Sequence, residues 1–264
     1  MKKMACFVGT ALALTGLLST TAACSHMEYY EDAHLYASGN AIYQASLVKT
    51  VEIDWVNGSV EIVQTSGENL TVTEKTPASA EEKKMFWRLD GDTLRIQYCK
   101  SGYVGTIDEK YKDLRVEIPV GVNLEIESVG ADIYSRDLTL GEVDIDVITA
   151  SVNGDSWTAS DLDVESVSGN IKIAQLSCGN VDLETTNGHI ATAFGVSTNM
   201  EVQTVSGNVQ LALLDGVGAK VAFETVSGGF VSDLQHTLSG KTRVFGGGES
   251  TVRVQTVSGN LTIG

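Results

Sequence analysis

The sequence predicts an all-β protein, a parallel β-solenoid of about 19 residues per coil, and three observations carry that expectation. One ten-residue segment, Leu124 to Ile133, recurs four times in succession at a step of 19 residues: Val143 to Val152, Leu162 to Ile171, Val181 to Ile190 and Met200 to Val209. Two further copies follow longer gaps, Val221 to Phe230 and Val252 to Leu261. Each copy is apolar at its first, third, sixth and tenth positions, Thr186 excepted, and the clearest copies turn on Ser-Gly-Asn at 168–170, 206–208 and 258–260. Self-similarity at a short fixed period means that each unit is one coil, whose apolar side only its neighbours can bury.

The elements follow in chain order. Residues 1–23 read as a signal peptide: Lys2 and Lys3 precede the apolar stretch Met4 to Leu18, which is too short to span a bilayer comfortably. Thr21-Ala22-Ala23-Cys24 resembles a bacterial lipoprotein signal, in which the cysteine is lipidated, although Thr21 stands where that box usually has Leu. An ordinary secretory signal cut after Ala23, or a retained anchor, would equally place the body outside the cytoplasm. Residues 24–48, polar with four tyrosines, are expected to tether the anchored Cys24 to the folded part.

Residues 49–121 form an N-terminal β-strand region. Val51 to Val60 matches the repeat template in isolation, and alternating strands follow at Leu70 to Thr73, Met85 to Leu89, Leu94 to Cys99 and Leu114 to Ile118. Asp90-Gly91-Asp92 signals an antiparallel hairpin between two of them. Residues 122–264 are the solenoid proper. In each copy the first, third and fifth side chains should point inward and the second and fourth outward. A further apolar column, Leu138, Trp157, Leu176 and Leu214 with Gly195 interrupting it, supplies the coil's other side. The Gly column at 169, 188, 207, 228 and 259 suits a corner needing positive φ or close approach. Stacked about 4.8 Å apart, seven coils reach ~30 Å, with a right-handed crossover expected. Lys241 to Glu249 lies in the longest gap and is expected to be a capping hairpin over an otherwise open end.

Composition limits function. Without Lys2 and Lys3 the chain carries 16 basic against 34 acidic residues, about −18, which argues against nucleic acid, whose phosphates need a basic footprint. Beyond Cys6 and Cys24 only Cys99 and Cys178 remain, expected as free thiols, so this is no disulfide scaffold. The four histidines show no metal-ligand spacing, and Ser-Gly-Asn is corner chemistry repeated, so no catalytic, cofactor or metal residue is assigned and no enzyme is expected.

What does stand out is the outward face. Position two reads Glu125, Asp144, Asp163, Asp182 and Glu201, then Ala222 and Arg253; position four reads Glu127, Asp146, Glu165, Glu184, Gln203, Glu224 and Gln255. Ten carboxylates on one face make an acidic ladder. Its bland purpose is to keep a flat sheet soluble. Its sharper one is to face cations, with weak Ca²⁺ binding on a diffuse surface as the form it would take.

Ile53-Asp54-Trp55-Val56-Asn57-Gly58-Ser59-Val60, the Gly91 to Ile96 strand, the Val-Ser-Gly-Asn corners and the closing Thr256 to Ile263 are similar to the bacterial putative-adhesin family of β-strand-repeat envelope proteins. The resemblance, over about residues 49–264, implies a β-solenoid, an extracytoplasmic place at the cell surface or in the periplasm, and a domain of unknown function with no catalytic residues to carry over. The expected function is a lipid-anchored, non-catalytic binding or structural module. Its expected partners are the membrane through its anchor and an envelope component, cationic ligand or surface protein. An envelope-stress sensor is the alternative, and a carbohydrate-active β-helix enzyme a more distant one.

Overall fold

Period-two burial runs through nearly every strand of the protein, so strand after strand keeps one dry and one wet face. The structure, a computed structural model, describes residues 30–75, 77–104, 112–195 and 198–264. Residues 1–23 and Cys24 lie outside the described residues.

Before the repeats the chain makes β1 (Ala37–Ser38), β2 (Ala41–Gln44), β3 (Thr50–Gln64), β4 (Asn69–Glu74), β5 (Phe86–Asp90), β6 (Thr93–Gln97) and β7 (Lys112–Ile118). The repeats first give β8 (Asn123–Ser135), β9 (Asp137–Thr139), β10 (Glu142–Val147), β11 (Val152–Ser166) and β12 (Ile171–Thr185). They continue as β13 (Ile190–Phe194), β14 (Asn199–Ser206), β15 (Val209–Leu213), β16 (Ala219–Thr225) and β17 (Phe230–Ser232). The chain then makes β18 (His236–Ser239), β19 (Thr242–Phe245), β20 (Ser250–Ser258) and β21 (Leu261–Ile263).

Leu124, Val143, Leu162, Val181 and Met200 stand directly over one another in parallel register, so each 19-residue module closes one rung. One continuous apolar core runs inside the stack, from Val51 and Trp55 through Val164 and Leu183 to Val254 and Ile263.

The order of rungs departs from the order of the chain at both ends. Val51 to Val60 is not isolated: β3 pairs with β8 in parallel from Thr50↔Asn123 to Ile62↔Ser135. Beneath β3, β6 and β7 supply a further parallel rung, so this region is only partly antiparallel. Antiparallel β5 and β4 cover that rung, followed by β1 and β2. Much of the expected tether is therefore folded onto the stack: Ala41 and Val48 are buried there.

At the other end Met200 pairs with Val252, and Val252 in turn with Val221. The last copy is inserted between the two before it. The corners explain why. Ser151 N–H donates to Asp132 Oδ1, His189 N–H to Asn170 Oδ1, Asn208 N–H to His189 Nδ1, Asn260 N–H to Asn208 Oδ1, and Gly229 N–H to Asn260 Oδ1. Each ninth-position side chain thus satisfies the backbone of the next rung. Gly229 has no side chain to offer, so its rung fits only at the end. The hairpin β18–β19 then lies antiparallel on β16, as the cap expected from the longest gap.

Two details of the repeat differ from expectation. The sixth position is not core: Ile148 and Val167 are 47% and 38% exposed, whereas the fifth, at Ser128, Val147, Ser166, Thr185 and Thr204, is buried. In two rungs a fifth-position hydroxyl serves the corner: Ser128 Oγ accepts the Ala131 N–H and Ser166 Oγ the Gly169 N–H. The second apolar side continues Leu138–Trp157–Leu176 through Phe194 and Leu213, not Gly195 and Leu214, because the register slips by one residue between Ile173 and Leu176. The corner glycines 169, 188, 207, 228 and 259 lack positive φ, so of the two reasons expected for that column close approach is the one that holds.

Candidate functional site: a stacked carboxylate face

The acidic residues sit on the outward side of the strands that begin each rung, where alternation sends the second and fourth side chains away from the core. Parallel register turns spacing in sequence into vertical neighbours. Position two runs Glu125↔Asp144↔Asp163↔Asp182↔Glu201 and position four Glu127↔Asp146↔Glu165↔Glu184↔Gln203. These nine expected ladder residues come together on one face.

The tenth does not. Because the last copy is interposed, Arg253 and Gln255 stand over Glu201 and Gln203. Glu224 lies one rung beyond, with Arg253 Nη2 at 3.8 Å and Gln255 Nε2 donating to it at 3.3 Å. The ladder instead grows at its other end, where Glu52 and Asp54 pair in register with Glu125 and Glu127. Spacing of 19 residues cannot reveal them across the intervening chain; the template match at Val51 was the available signal. Arg95 closes that end, with its Nε 3.6 Å from Glu52. The ladder is therefore closed at both ends, by Arg95 below and by Arg253 above.

Like charges one rung apart repel, and packing between rungs strips water from them. Burial first, and then the charges of Asp182 and Asp144, push Asp163 up to about 6. Burial, with Asp146 and Glu184, pushes Glu165 up to about 7. Asp144, Asp146, Asp182 and Glu184 are raised as well, by burial above all. Asp182 Oδ1 is buried without a hydrogen-bond partner. A further column, Asn123, Glu142, Asp161 and Asn180, flanks position two, with Asn180 Nδ2 donating to Asp161 Oδ1 at 2.7 Å. Between the two columns runs a shallow groove of about 350 Å³.

These shifts fix a pH dependence. A carboxyl whose pKa is higher in the folded chain takes up protons on folding, so its contribution to stability is present below the unfolded pKa and is lost as pH rises through the folded one. The melting temperature should therefore fall as pH rises from about 4 to 8. Glu165→Gln should raise it at pH 8 and flatten the slope between pH 5 and 8. A slope unchanged in that variant would show that Glu165 is not crowded in this way.

Chemically the face offers oxygen ligands in rows. Among the described residues no three His, Cys, Asp or Glu side chains converge to hold a metal ion, so any cation would meet a surface and not a cage. All the resolved shifts along the ladder run upward, as burial among like charges dictates. Cys99 and Cys178 are free and buried, their thiols pushed up to about 11 by that burial and held unreactive. Among the described residues, no helix is long and apolar enough to cross a membrane.

Residues 120–264 match the family model described as Toastrack DUF4097. No curated protein matches the chain. Solved structures similar to it include a putative cell adhesion protein from Clostridium sporogenes, at 15% identity and TM-score 0.38 over 86% of this chain and 98% of that one. A putative adhesin from Bacteroides fragilis aligns at 12% identity and TM-score 0.45, over 86% and 96%. One from Parabacteroides merdae aligns at 10% and 0.41, over 87% and 96%. At these scores the three structures carry no inference about the site.

Proposed function

From the premise that this chain belongs to the Toastrack DUF4097 family, we propose that it is a non-catalytic binding module of the bacterial envelope, held outside the cytoplasm by a lipid on Cys24 and presenting its carboxylate face to a cationic partner. The observation that carries the reading is the unbroken register of Glu52, Glu125, Asp144, Asp163, Asp182 and Glu201, closed by an arginine at either end. A face that only had to stay wet could mix its charges, as natural surfaces commonly do. Here a single sign is kept over successive rungs at the expense of mutual repulsion, which a bound cation would relieve. The leader ending in Ala23-Cys24 supports the location.

Poly-L-lysine titrated into the chain at low ionic strength should bind and raise its melting temperature. The effect should vanish near 0.5 M NaCl, where screening shortens to a few ångströms. The triple variant Asp163→Asn/Glu165→Gln/Asp182→Asn should lose most of the binding while remaining folded. Binding that ignores both salt and that variant would overturn the proposal.

A further inference from the structure

The sixth position of each repeat, expected in the core, is on the surface instead. It forms a column beside position four: Val129, Ile148, Val167, Thr186, Val205, and at the far end Val257 and Val226, the last 83% exposed. Backbone bonds hold these corners in register: Ile148 N–H donates to Ser128, Ser168 N–H to Ile148, Asn187 N–H to Val167 and Ser206 N–H to Thr186. Ile148 and Val167 on adjacent rungs, and Val226 at the far end, thus expose β-branched side chains, and half-buried Val129, Val205 and Val257 continue the column next to a charged one. Aligned exposed apolar surface marks contact with something else.

We infer that this apolar column seats a basic amphipathic α-helix of another polypeptide, lying along the stack axis with its aliphatic stripe on the sixth position and its lysines or arginines over the fourth and second. The inference rests on the cationic-partner reading above and names the class of partner. Three comparisons select it. Rungs repeat every ~4.8 Å, close to the ~5.4 Å pitch of a helix and far from the ~6.8 Å between like-facing residues of a strand. Columns four and six are two residues apart at the strand end, no more than about 6.8 Å, so a helix of 10–12 Å diameter covers both and long basic side chains reach column two. Charge excludes the other occupants: a second copy would bring the same acidic face, and an anionic bilayer surface would be repelled. From Val129 to Val205 the column spans about 19 Å, or about 13 residues of helix.

The test uses two synthetic 14-residue peptides of identical composition and helix propensity. In one, leucines form a single stripe flanked by lysines; in the other they are spread around the helix. Fluorescence anisotropy at low salt should show the striped peptide binding about tenfold more tightly. Ile148→Ser/Val167→Ser/Val205→Ser should abolish that advantage and leave poly-L-lysine binding intact, while Thr186→Val, which fills the polar gap in the column, should strengthen binding of the striped peptide. Equal affinity for the two peptides, or a preference untouched by the serine variant, overturns the helix while the cationic-partner reading survives. Loss of poly-L-lysine binding to the parent protein would remove both.

Discussion

Gly188→Ala should lower stability by about 3 kcal/mol, the upper end of what overpacking usually costs. A Cβ at Gly188 would stand 1.9 Å from the carbonyl oxygen of Gly169 in the rung below and 2.8 Å from Thr185 Oγ1. The first of these is backbone, and it cannot rotate away. It can yield only by separating two rungs, which stretches the parallel hydrogen bonds on either side of the corner. The effect comes from stacking and not from left-handed backbone, because Gly188 does not have positive φ. Ala131 and Ala150 occupy the same column lower in the stack, so the carbonyl underneath decides the outcome and not the column. Gly195→Ala is the control: its Cβ would find Leu214 Cδ1 at 3.4 Å, an ordinary contact, and should shift stability by no more than about 0.5 kcal/mol. Urea midpoints of the two variants make the comparison. Similar midpoints would show that rungs can part at that corner without loss.

The second large effect is expected at the covered end of the stack. Lys112 opens β7 with its side chain 7% exposed, its Nζ 2.9 Å from the Oε1 of Glu74, whose own side chain is 1% exposed. The ammonium also donates to the carbonyl oxygens of Lys83 and Tyr98 and lies over the rings of Tyr98 and Trp55, at 4.2 and 5.1 Å. The other carboxylate oxygen of Glu74 accepts the Met85 N–H. Burial lowers the pKa of Lys112 despite these partners. Lys112→Met strands a buried carboxylate and should cost about 3–5 kcal/mol, whereas Lys112→Met/Glu74→Leu should recover much of that, because a buried pair is held at a desolvation penalty that apolar replacements do not incur. If the double variant is no more stable than the single one, the carbonyl and ring contacts matter more than the carboxylate.

The interior of the stack was legible in the sequence because a fixed period of 19 residues converts directly into register. Nothing but the repeat is needed to place Asp144 beneath Asp163. The ends were less legible. Any copy of the template fits any other, so pattern alone cannot place Val252 between Met200 and Val221; the missing acceptor at Gly229 does, and it is a single residue. Glu52 and Asp54 escaped notice for a related reason, since a long insertion hides adjacency that register restores. Val167 and Ile148 read as core because they are β-branched residues at a strand end, while the buried fifth position is mostly Ser or Thr and does not read as core. The slip that puts Phe194 where Gly195 was expected is a local bulge, which no period announces.

The interposed last copy also has a history in time. As the chain emerges from its amino end, the edge of β14 is complete long before Ser250–Ser258 exists, and for that interval the strand on offer is β16, with the same alternation and the same corner. In the finished molecule those two strands do not touch through a ladder: each holds β20 instead. Were β14 and β16 to pair first, that pairing would have to open to admit β20 before the top of the molecule could settle.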